Sequence, residues 1–377
     1  MRELSRIITG IAPSATLEIS EKARQMQRQG FDVISLSIGE PDFDTPAHIK
    51  EACIQALIRG ETHYAPSNGI PELLSAISTK TDRENKIPCT TRQVIVTCGA
   101  KDAIYDAMVA VLNPGDEVII LDPSWVSYEP CVRMAGGKPV HHPLNTRTFQ
   151  VDESILEKIT AKTRMIVINS PSNPSGAILT RPSLGLIADL CEDYDLFSLS
   201  DEIYEKLIYG KDHISLASIR DMAERTITVN GFSKAYAMTG WRLGWAVAPT
   251  VIINQMSKVQ QHSISHPTTF AMYGGVAALT SDQSCVDTMR KEFNRRRDFL
   301  VQELLLMGYP VAPAEGAFYA FVNTGGDDIE TARIWLEKGL VAVTPGSAFN
   351  TPGWQRISYA TSMECLQEAV RRIKNLT

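Results

Sequence analysis

The sequence lacks several features that would place it in a special class of protein. Its seven cysteines are odd in number and scattered, without a Cys-x-x-Cys pair, which argues against a disulfide framework and a zinc site. It contains no repeat, no low-complexity linker and no apolar run near the roughly 18 residues of a membrane span. The segment Met1–Ser14 carries Glu3 and has no apolar core of a secretory signal. We therefore expect a cytoplasmic protein with no membrane partner.

A surplus of basic residues is also missing. The 377 residues include 37 Lys and Arg against 43 Asp and Glu, which gives a net charge of −6 and a pI near 5.7. No positive stripe is present that would neutralise a phosphate backbone, so no nucleic-acid partner is expected. Hydrophobic residues make up 44% and charged residues 21%, as in an ordinary globular enzyme. The length suits one large domain plus a smaller one.

Strand-like and helix-like segments alternate between about residues 90 and 250. Short apolar and β-branched runs predict strands at 94–97, 118–121, 165–169, 196–199, 226–230 and 243–247. The helix-length segments between most of these runs indicate βαβ units and a mostly parallel sheet, which is an α/β fold. The gap between Asn230 and Leu243 is too short for a crossover helix. The last strand is therefore expected to be antiparallel.

The pattern changes near residue 286. A long charged helix is predicted at 290–307, then short strands near 317–323 and 357–359, and an amphipathic helix at 363–376. We predict an N-terminal arm at 1–45, a large domain at 46–285 and a small C-terminal domain at 286–377. The arm is expected to pack with the C-terminal part, which makes the smaller α+β domain discontinuous.

Lys234 is the most informative residue of the chain. It follows the predicted strand 226–230, so it is expected just past the end of a buried strand. A desolvated amine there has a lowered pKa and is a nucleophile toward aldehydes. Ser233 and Arg242 offer a hydroxyl and a fixed cation to a phosphate. An amine beside a phosphate anchor suggests pyridoxal phosphate, although a strand-end lysine taken alone is usually structural.

Other polar groups fall at the carboxyl ends of predicted strands, where open α/β sheets bind ligands. Gly99, Ala100 and Lys101 open the helix after the first strand, and their backbone amides can receive a phosphate. Asn173 lies in the loop Ser-Pro-Ser-Asn-Pro-Ser-Gly at 170–176, where two prolines present its amide as a donor to a phenolate oxygen. The alternative for residues 99–101 is an ordinary helix that begins with small residues. The alternative for the loop at 170–176 is a plain turn.

An acid and two aromatic residues complete this pattern. The segment Leu-Ser-Asp-Glu-Ile-Tyr at 199–204 ends the fourth strand with Asp201 and places Tyr204 three residues later. A carboxylate there would keep a pyridinium nitrogen protonated and make its ring an electron sink, while a helix cap is the alternative. Trp125 follows the second strand and offers a face to such a ring, although loop aromatics more often serve packing.

Together these residues resemble the fold-type I pyridoxal-phosphate aminotransferases of class I/II, the aspartate aminotransferase family. The resemblance runs from Leu-Ser-Ile-Gly-Glu-Pro-Asp-Phe at 36–43 to Arg-Ile-Ser-Tyr-Ala-Thr at 356–361. The residues that keep family order and spacing are Asn173, Asp201, Tyr204, Lys234, Arg242 and Arg356. The resemblance implies the PLP-dependent transferase fold, in which helices flank a mostly parallel seven-stranded sheet.

The resemblance also implies a role for each residue around the cofactor. Lys234 would hold pyridoxal phosphate as a Schiff base and then shuttle a proton between the substrate Cα and C4′ of the cofactor. Asp201 would pair with the pyridine nitrogen, and Asn173 and Tyr204 with the ring oxygen, while Trp125 stacks on the ring. The residues implied at the phosphate end are Gly99, Ala100, Lys101, Ser233 and Arg242. The chain departs from some relatives at Gly231, where a serine often touches the phosphate.

Substrate and partner residues follow from the same resemblance. Arg356 would grip the α-carboxylate with its planar fork, helped by the Gly39 backbone, and Trp125 and Asn173 would also line the substrate site. Lys101 stands where a subgroup of aspartate aminotransferases recognises a distal carboxylate, which favours transfer from aspartate to 2-oxoglutarate. Tyr64 resembles a tyrosine that reaches the phosphate of the neighbouring subunit. A homodimer with shared active sites is therefore implied, and the apolar stretch at 7–12 is expected to dock on the partner.

Several alternatives stay open at this point. Aromatic and broad-specificity aminotransferases share every cofactor residue named above, so the donor amino acid is not decided. Related enzymes with the same framework are C–S lyases or form a cyclopropane ring. A ligand-sensing regulator on this fold would carry an N-terminal DNA-binding module, whereas the resemblance here begins within the first few dozen residues. The prediction is a ping-pong aminotransferase that acts on an L-amino acid and a 2-oxo acid.

Overall fold

A computed structural model describes residues 2–13 and 15–376. The helices are α1 (Arg6–Thr9), α2 (Ala15–Arg28), α3 (Ala47–Ile58), α4 (Pro71–Asn85), α5 (Ala100–Val111), α6 (Tyr128–Met134), α7 (Arg181–Asp193), α8 (Thr250–Ser263), α9 (Thr269–Thr280), α10 (Ser284–Leu306), α11 (Asp328–Glu337) and α12 (Met363–Lys374). The strands are β1 (Ile34–Ser35), β2 (Val94–Thr97), β3 (Glu117–Asp122), β4 (Lys138–Pro143), β5 (Thr163–Asn169), β6 (Phe197–Asp201), β7 (Thr226–Gly231), β8 (Gly244–Val247), β9 (Tyr319–Asn323), β10 (Val341–Ala342), β11 (Thr344–Pro345) and β12 (Trp354–Ser358). Within these residues no helix is both long and apolar enough to span a membrane.

The largest sheet has seven strands in the order β2-β8-β7-β6-β5-β3-β4. Strand β8 runs antiparallel to both of its neighbours, and the other pairs are parallel. This arrangement confirms the predicted α/β fold and the antiparallel last strand. The run of strands predicted from the sequence missed β4, because this edge strand contains two prolines and is only partly buried.

Helices cover both faces of this sheet. Helices α5, α6 and α8 pack on one face, where Ile104, Val132 and Ile253 are fully buried against the strands. The other face buries residues of α4, α7 and α9, among them Ile77, Ile187 and Met272. Burial of each such side chain contributes about 1.5–3 kcal/mol. Strands β2, β3, β7 and β8 are buried along their whole length, which explains the continuous apolar runs of β2, β3 and β8.

The C-terminal part has its own sheet and core. Strands β11, β12 and β9 form an antiparallel sheet in that order, and β1 pairs with β10 in parallel. Side chains of α10 and α12 pack with β9 and β12 in one buried cluster that includes Phe293, Leu366 and Ile357. The β1–β10 pair joins the N-terminal segment to this part. The predicted domain bounds stay a prediction, and the one between 285 and 286 falls in the first turn of α10.

Candidate active site

Most of the side chains predicted from strand ends line one cavity of about 460 Å³. It opens at the carboxyl edge of the large sheet, beyond β5, β6 and β7. The predicted residues that line it are Gly39, Ala100, Lys101, Trp125, Asn173, Asp201, Tyr204, Ser233, Lys234, Arg242 and Arg356. Gly99 adjoins the cavity as the residue before α5. Tyr64 does not line it and is 91% exposed, with its ring 5.6 Å from that of His266.

Lys234 follows β7 by three residues and turns its amine into this cavity. Its Nζ donates a hydrogen bond to the carbonyl of Gly39 at 2.6 Å. The same atom lies 5.9 Å from the centre of the Tyr204 ring and 5.7 Å from that of Phe318. Burial lowers the pKa of Lys234 to about 8, while the charge of Glu40 acts in the opposite direction. About half of the amine is therefore neutral at pH 8, and more of it above that pH.

Asp201 ends β6 as a buried carboxylate with 4% of its surface exposed. Its Oδ2 accepts a hydrogen bond from the Tyr128 hydroxyl at 2.7 Å, and its Oδ1 accepts one from the backbone N–H of Ile203 at 3.3 Å. Burial raises the pKa of Asp201 to about 6, against the effect of these two hydrogen bonds. A buried carboxylate at a cavity wall is costly unless a cation or strong donor meets it.

Arg356 lies on β12 and is only 3% exposed. Its guanidinium donates to Asn173 Oδ1 at 2.9 Å and to the carbonyl of Ser37 at 2.6 Å, and it stacks 4.6 Å from the Tyr319 ring centre. Its buried Nε has no hydrogen-bond partner, and no carboxylate pairs with it among the described residues. Burial lowers the pKa of this guanidinium. An unpaired buried cation is suited to an anionic ligand.

A glycine lets the Arg242 guanidinium approach the backbone at the end of the cavity predicted to hold a phosphate. Gly99 precedes α5 with φ +89°, and a Cβ there would come within 2.7 Å of Arg242 Nη2. The guanidinium is held by a hydrogen bond from Nη1 to the carbonyl of Thr239 at 2.8 Å. The first amides of α5 have no partner within the helix, so a cation and free N–H groups meet at one place.

Lys101 and Trp125 stand together at another wall of the cavity. The Lys101 Nζ lies 4.9 Å from the centre of the Trp125 ring. Lys101 stays exposed at the opening, and partial desolvation lowers the pKa of its ammonium. Lys101 therefore places a positive charge at the cavity wall, which Arg24, Lys234, Arg242 and Arg356 also line.

Some cavity residues were not predicted from the sequence. Tyr319 donates to or accepts from the Tyr204 hydroxyl at 2.9 Å, and Asn169 Oδ1 accepts from the backbone N–H of Asn173 at 2.7 Å. Tyr128 ends the Trp-Val-Ser-Tyr motif and its ring lies 5.4 Å from that of Trp125, so the motif that indicated Trp125 could have indicated it. Nothing local indicates Tyr319, because β9 brings it to Tyr204 from 115 residues away.

Comparison with known proteins places this geometry in a family. The family described as aminotransferase class I and II matches residues 32–373. A probable aspartate/prephenate aminotransferase of Aquifex aeolicus is 44% identical over 98% of each chain, and an aromatic-amino-acid aminotransferase 2 of Thermococcus litoralis is 44% identical over 92% of each. The structure of Thermus thermophilus aspartate aminotransferase with maleate matches 100% of both chains, with a TM-score of 0.97 and 42% identity. The chain belongs to the class I and II aminotransferases, the family that its sequence motifs predict.

Proposed function

We propose that the protein is a pyridoxal-phosphate-dependent aminotransferase that transfers the amino group of aspartate to 2-oxoglutarate. One observation carries the proposal: the low-pKa amine of Lys234 shares a single cavity with the buried Asp201 carboxylate and the buried Arg356 guanidinium. Transamination requires an amine that exchanges protons, a carboxylate that pairs with a positively charged ring nitrogen, and a group that binds the substrate carboxylate. The cavity brings these three groups together.

The residues around the cavity fit pyridoxal phosphate. Lys234 would hold it through its amine, and Asp201 would meet the ring nitrogen, which supplies the cation that this buried carboxylate lacks. Asn173 uses its Oδ1 for Arg356, so its Nδ2 stays available to donate to the ring oxygen beside Tyr204. The close approach of Gly99 and Arg242 leaves a cradle for the phosphate. When bound, the cofactor supplies an aldehyde and an electron sink.

The protein's own groups account for proton transfer and orientation. The Lys234 amine, with a pKa of about 8, accepts and returns a proton at working pH. Arg356 orients the α-carboxylate of the substrate through its planar fork. The carbonyl of Gly39 accepts a hydrogen bond from Lys234, and this bond orients the amine in the cavity.

Aspartate is the proposed donor because a second cation is available for its distal carboxylate. Lys101 lies at the cavity wall. It takes no part in the hydrogen bonds that join Arg356 to Asn173 and Ser37. A related enzyme with the name aspartate aminotransferase was solved with maleate, which is a dicarboxylate. An aromatic donor is the second candidate, because an equally similar relative is named for aromatic amino acids and Trp125 offers an apolar face at the same wall.

The proposal includes a homodimer of the cytoplasm with shared active sites. Tyr64 is 91% exposed, and the nearby Ile54 and Ile58 on α3 are 48% and 72% exposed. An apolar surface of this kind beside an exposed tyrosine suits a second copy of the chain. The N-terminal Leu4, Ile7 and Ile8 are also exposed, at 79%, 49% and 55%.

A half-reaction panel tests this function. Protein loaded with pyridoxal phosphate is mixed with one amino acid at a time, and the loss of the cofactor absorbance is followed. The amino acids are aspartate, tyrosine, alanine, cysteine and the amino acid that transamination of prephenate forms. We expect aspartate to react fastest and to yield one oxaloacetate per cofactor, with glutamate formed when 2-oxoglutarate is added. Release of pyruvate and sulfide from cysteine without keto-acid stoichiometry would instead show a C–S lyase, and faster reaction of tyrosine would show the aromatic alternative.

A further inference from the structure

The turn after β6 contacts two different environments. Asp201 and Tyr204 line the cavity, whereas Glu202 and Glu205, which follow each of them in sequence, do not. Both glutamates are buried, with 1% and 8% of their surface exposed. A buried carboxylate is costly unless it is paired and hydrogen-bonded. The groups that compensate these two glutamates therefore also hold the turn that carries Asp201 and Tyr204.

Lys80 of α4 compensates Glu205. Its ammonium forms an ion pair with Glu205 Oε1 and donates a hydrogen bond to Asn85 Oδ1 at 2.6 Å, and Lys80 itself is only 7% exposed. Asn85 in turn donates from Nδ2 to Glu205 Oε2 at 2.6 Å and to Ser215 Oγ at 2.8 Å. Burial opposes ionisation of Glu205, but the Lys80 and His213 charges lower its pKa to about 2. The Glu205 carboxylate is thus ionised and held at both oxygens.

Glu202 belongs to the same network. It accepts hydrogen bonds from Ser215 Oγ at 2.6 Å and from Ser200 Oγ at 2.9 Å, and its Oε2 lies 2.9 Å from His213 Nε2. Burial lowers the pKa of His213, but the neighbouring Glu202 carboxylate outweighs it, and the pKa is raised overall. Lys80 and His213 therefore balance the two glutamates behind the turn.

A metal ion is the other cation that such a cluster could hold. Glu202, Glu205 and His213 offer ligand atoms within 4.8 Å of one another. However, the ammonium of Lys80 is already paired with the Glu205 oxygen, and a divalent cation beside it would be repelled. The arrangement favours lysine as the compensating cation and leaves a metal as an outcome for experiment.

We propose that Lys80 is a positioning residue for the reaction, because its charge and its contacts with Glu205 and Asn85 hold the turn 201–205 with Asp201 and Tyr204 toward the cavity. The inference rests on the proposed function, which gives those two residues their roles. The connection is electrostatic as well as mechanical. Burial raises the pKa of Asp201, and the negative charge of the adjacent Glu202 adds to this effect. Loss of the Lys80 cation would therefore raise the pKa of Asp201 further.

The test uses holoenzyme variants that remove the charge of Lys80 alone, the charge of Glu205 alone, or both charges together. Lys80→Met should move the pH midpoint of the cofactor's absorbance change upward by about half a unit to one unit, because an uncompensated carboxylate favours protonated groups. Glu205→Gln should move it downward, and Lys80→Met with Glu205→Gln should return it close to that of the unaltered protein. Lys138→Met is the matched control, since Lys138 also pairs with a buried glutamate, Glu117 at 2.9 Å. That pair lies at the amino ends of β3 and β4, whereas the cavity lies at the carboxyl edge of the sheet.

Thermal melting and cofactor affinity are measured on the same proteins. If Lys80→Met fails to fold, the opposite shift in Glu205→Gln and its reversal in the double variant still test the inference. Equal losses of affinity in all variants without any shift of the midpoint would overturn it and leave Lys80 a purely structural role. A bound metal, released by chelation with a matching fall in melting temperature, would overturn it too. If the unaltered protein neither binds pyridoxal phosphate nor transaminates, the proposed function fails instead.

Discussion

Burial, rather than residue type, separates the charged groups of the cavity into different chemical states. Desolvation brings the pKa of Lys234 down to about 8 and that of Asp201 up to about 6. Both groups therefore change protonation near neutral pH, where an ordinary lysine and aspartate would not. Arg356 keeps its charge although it is buried, because guanidinium ionisation is hard to suppress. The cavity thus combines these two titratable groups with arginines that stay charged.

The pKa of Lys234 predicts how the protein without cofactor captures pyridoxal phosphate. The neutral amine is the reactive form, and its fraction grows with pH up to the pKa of about 8. We expect the rate constant of attachment to rise about tenfold per pH unit below that value and to level off above it. Stopped-flow absorbance measures this profile.

Borohydride trapping with peptide mapping is the control for this experiment. It should place the label on Lys234, and Lys234→Ala should bind the cofactor without the label and transaminate at a negligible rate. A rate that keeps rising beyond pH 10, or a label on another lysine, would contradict the prediction.

Lys101 predicts substrate choice. Loss of one partner of a desolvated charge pair costs about 2–5 kcal/mol of binding free energy. Because Lys101 lies at the open side of the cavity, we expect its removal to cost an amount near the lower end of this range. Lys101→Ala should therefore lower kcat/KM for aspartate at least about tenfold and leave kcat/KM for alanine nearly unchanged. The control is Lys162→Ala, which removes an exposed lysine outside the cavity. An equal loss on both substrates would assign Lys101 to the cofactor.

At the scale of elements, the cavity depends on how closely β8 approaches the start of α5. Strand β8 carries Gly244, whose missing side chain leaves room for the backbone of Gly99 and Ala100. The short connection between β7 and β8 contains Lys234 and Arg242, so both ends of the cavity are tied to the same pair of antiparallel strands. A small change in this packing is therefore transmitted directly to the helix start that would receive a phosphate.

Gly244→Ala tests this contact. A Cβ at this position would lie 2.5 Å from the Ala100 nitrogen and 2.6 Å from the Gly99 carbonyl carbon, and both are backbone atoms that have no rotamer to change. We expect the helix start to shift, with cofactor affinity falling at least about tenfold and stability falling by about 1–3 kcal/mol. Isothermal titration and chemical denaturation measure the two effects.

Gly185→Ala is the matched control, because Gly185 lies inside α7 with no atom within 4 Å of the added Cβ. It should stabilise the protein by up to about 1 kcal/mol and leave cofactor affinity unchanged. Unaltered affinity in Gly244→Ala would contradict the view that this contact sets the helix start.

At the scale of the whole molecule, residues far apart in sequence meet at one cavity. Arg356 comes from the antiparallel sheet of the C-terminal part, and it bonds to Asn173 beside the large sheet and to Ser37 near β1. The segment that begins at Ser37 is also held at Asp42, which pairs with the buried Arg296 of α10 at 2.7 Å. Substrate bound at Arg356 would thus be held by a side chain that joins three separate parts of the fold.

Subunit mixing tests the proposed shared sites. If Tyr64 completes the site of the partner, chains with Tyr64→Phe and chains with Lys234→Ala should complement each other. A heterodimer then has one site with both groups intact, so a one-to-one mixture should regain roughly a quarter of the intact sites. Activity assays on mixtures, with each variant alone as control, measure the gain. A fully active monomer in sedimentation, or no gain on mixing, would contradict the shared site.

The sequence alone determined the fold class, the antiparallel last strand and most residues of the cavity. The strands and the residues at their ends could be predicted because β-branched runs, turn residues and the carboxyl edge of a parallel sheet are local or topological features. Gly39 and Arg356 came from the family resemblance instead. Tertiary structure alone decided that Tyr319 meets Tyr204, that Lys80 lies behind the turn of Asp201, and that Arg356 keeps an unpaired Nε. These contacts join residues more than 100 positions apart or depend on burial. Their energies arise from desolvation and packing, which no local pattern records.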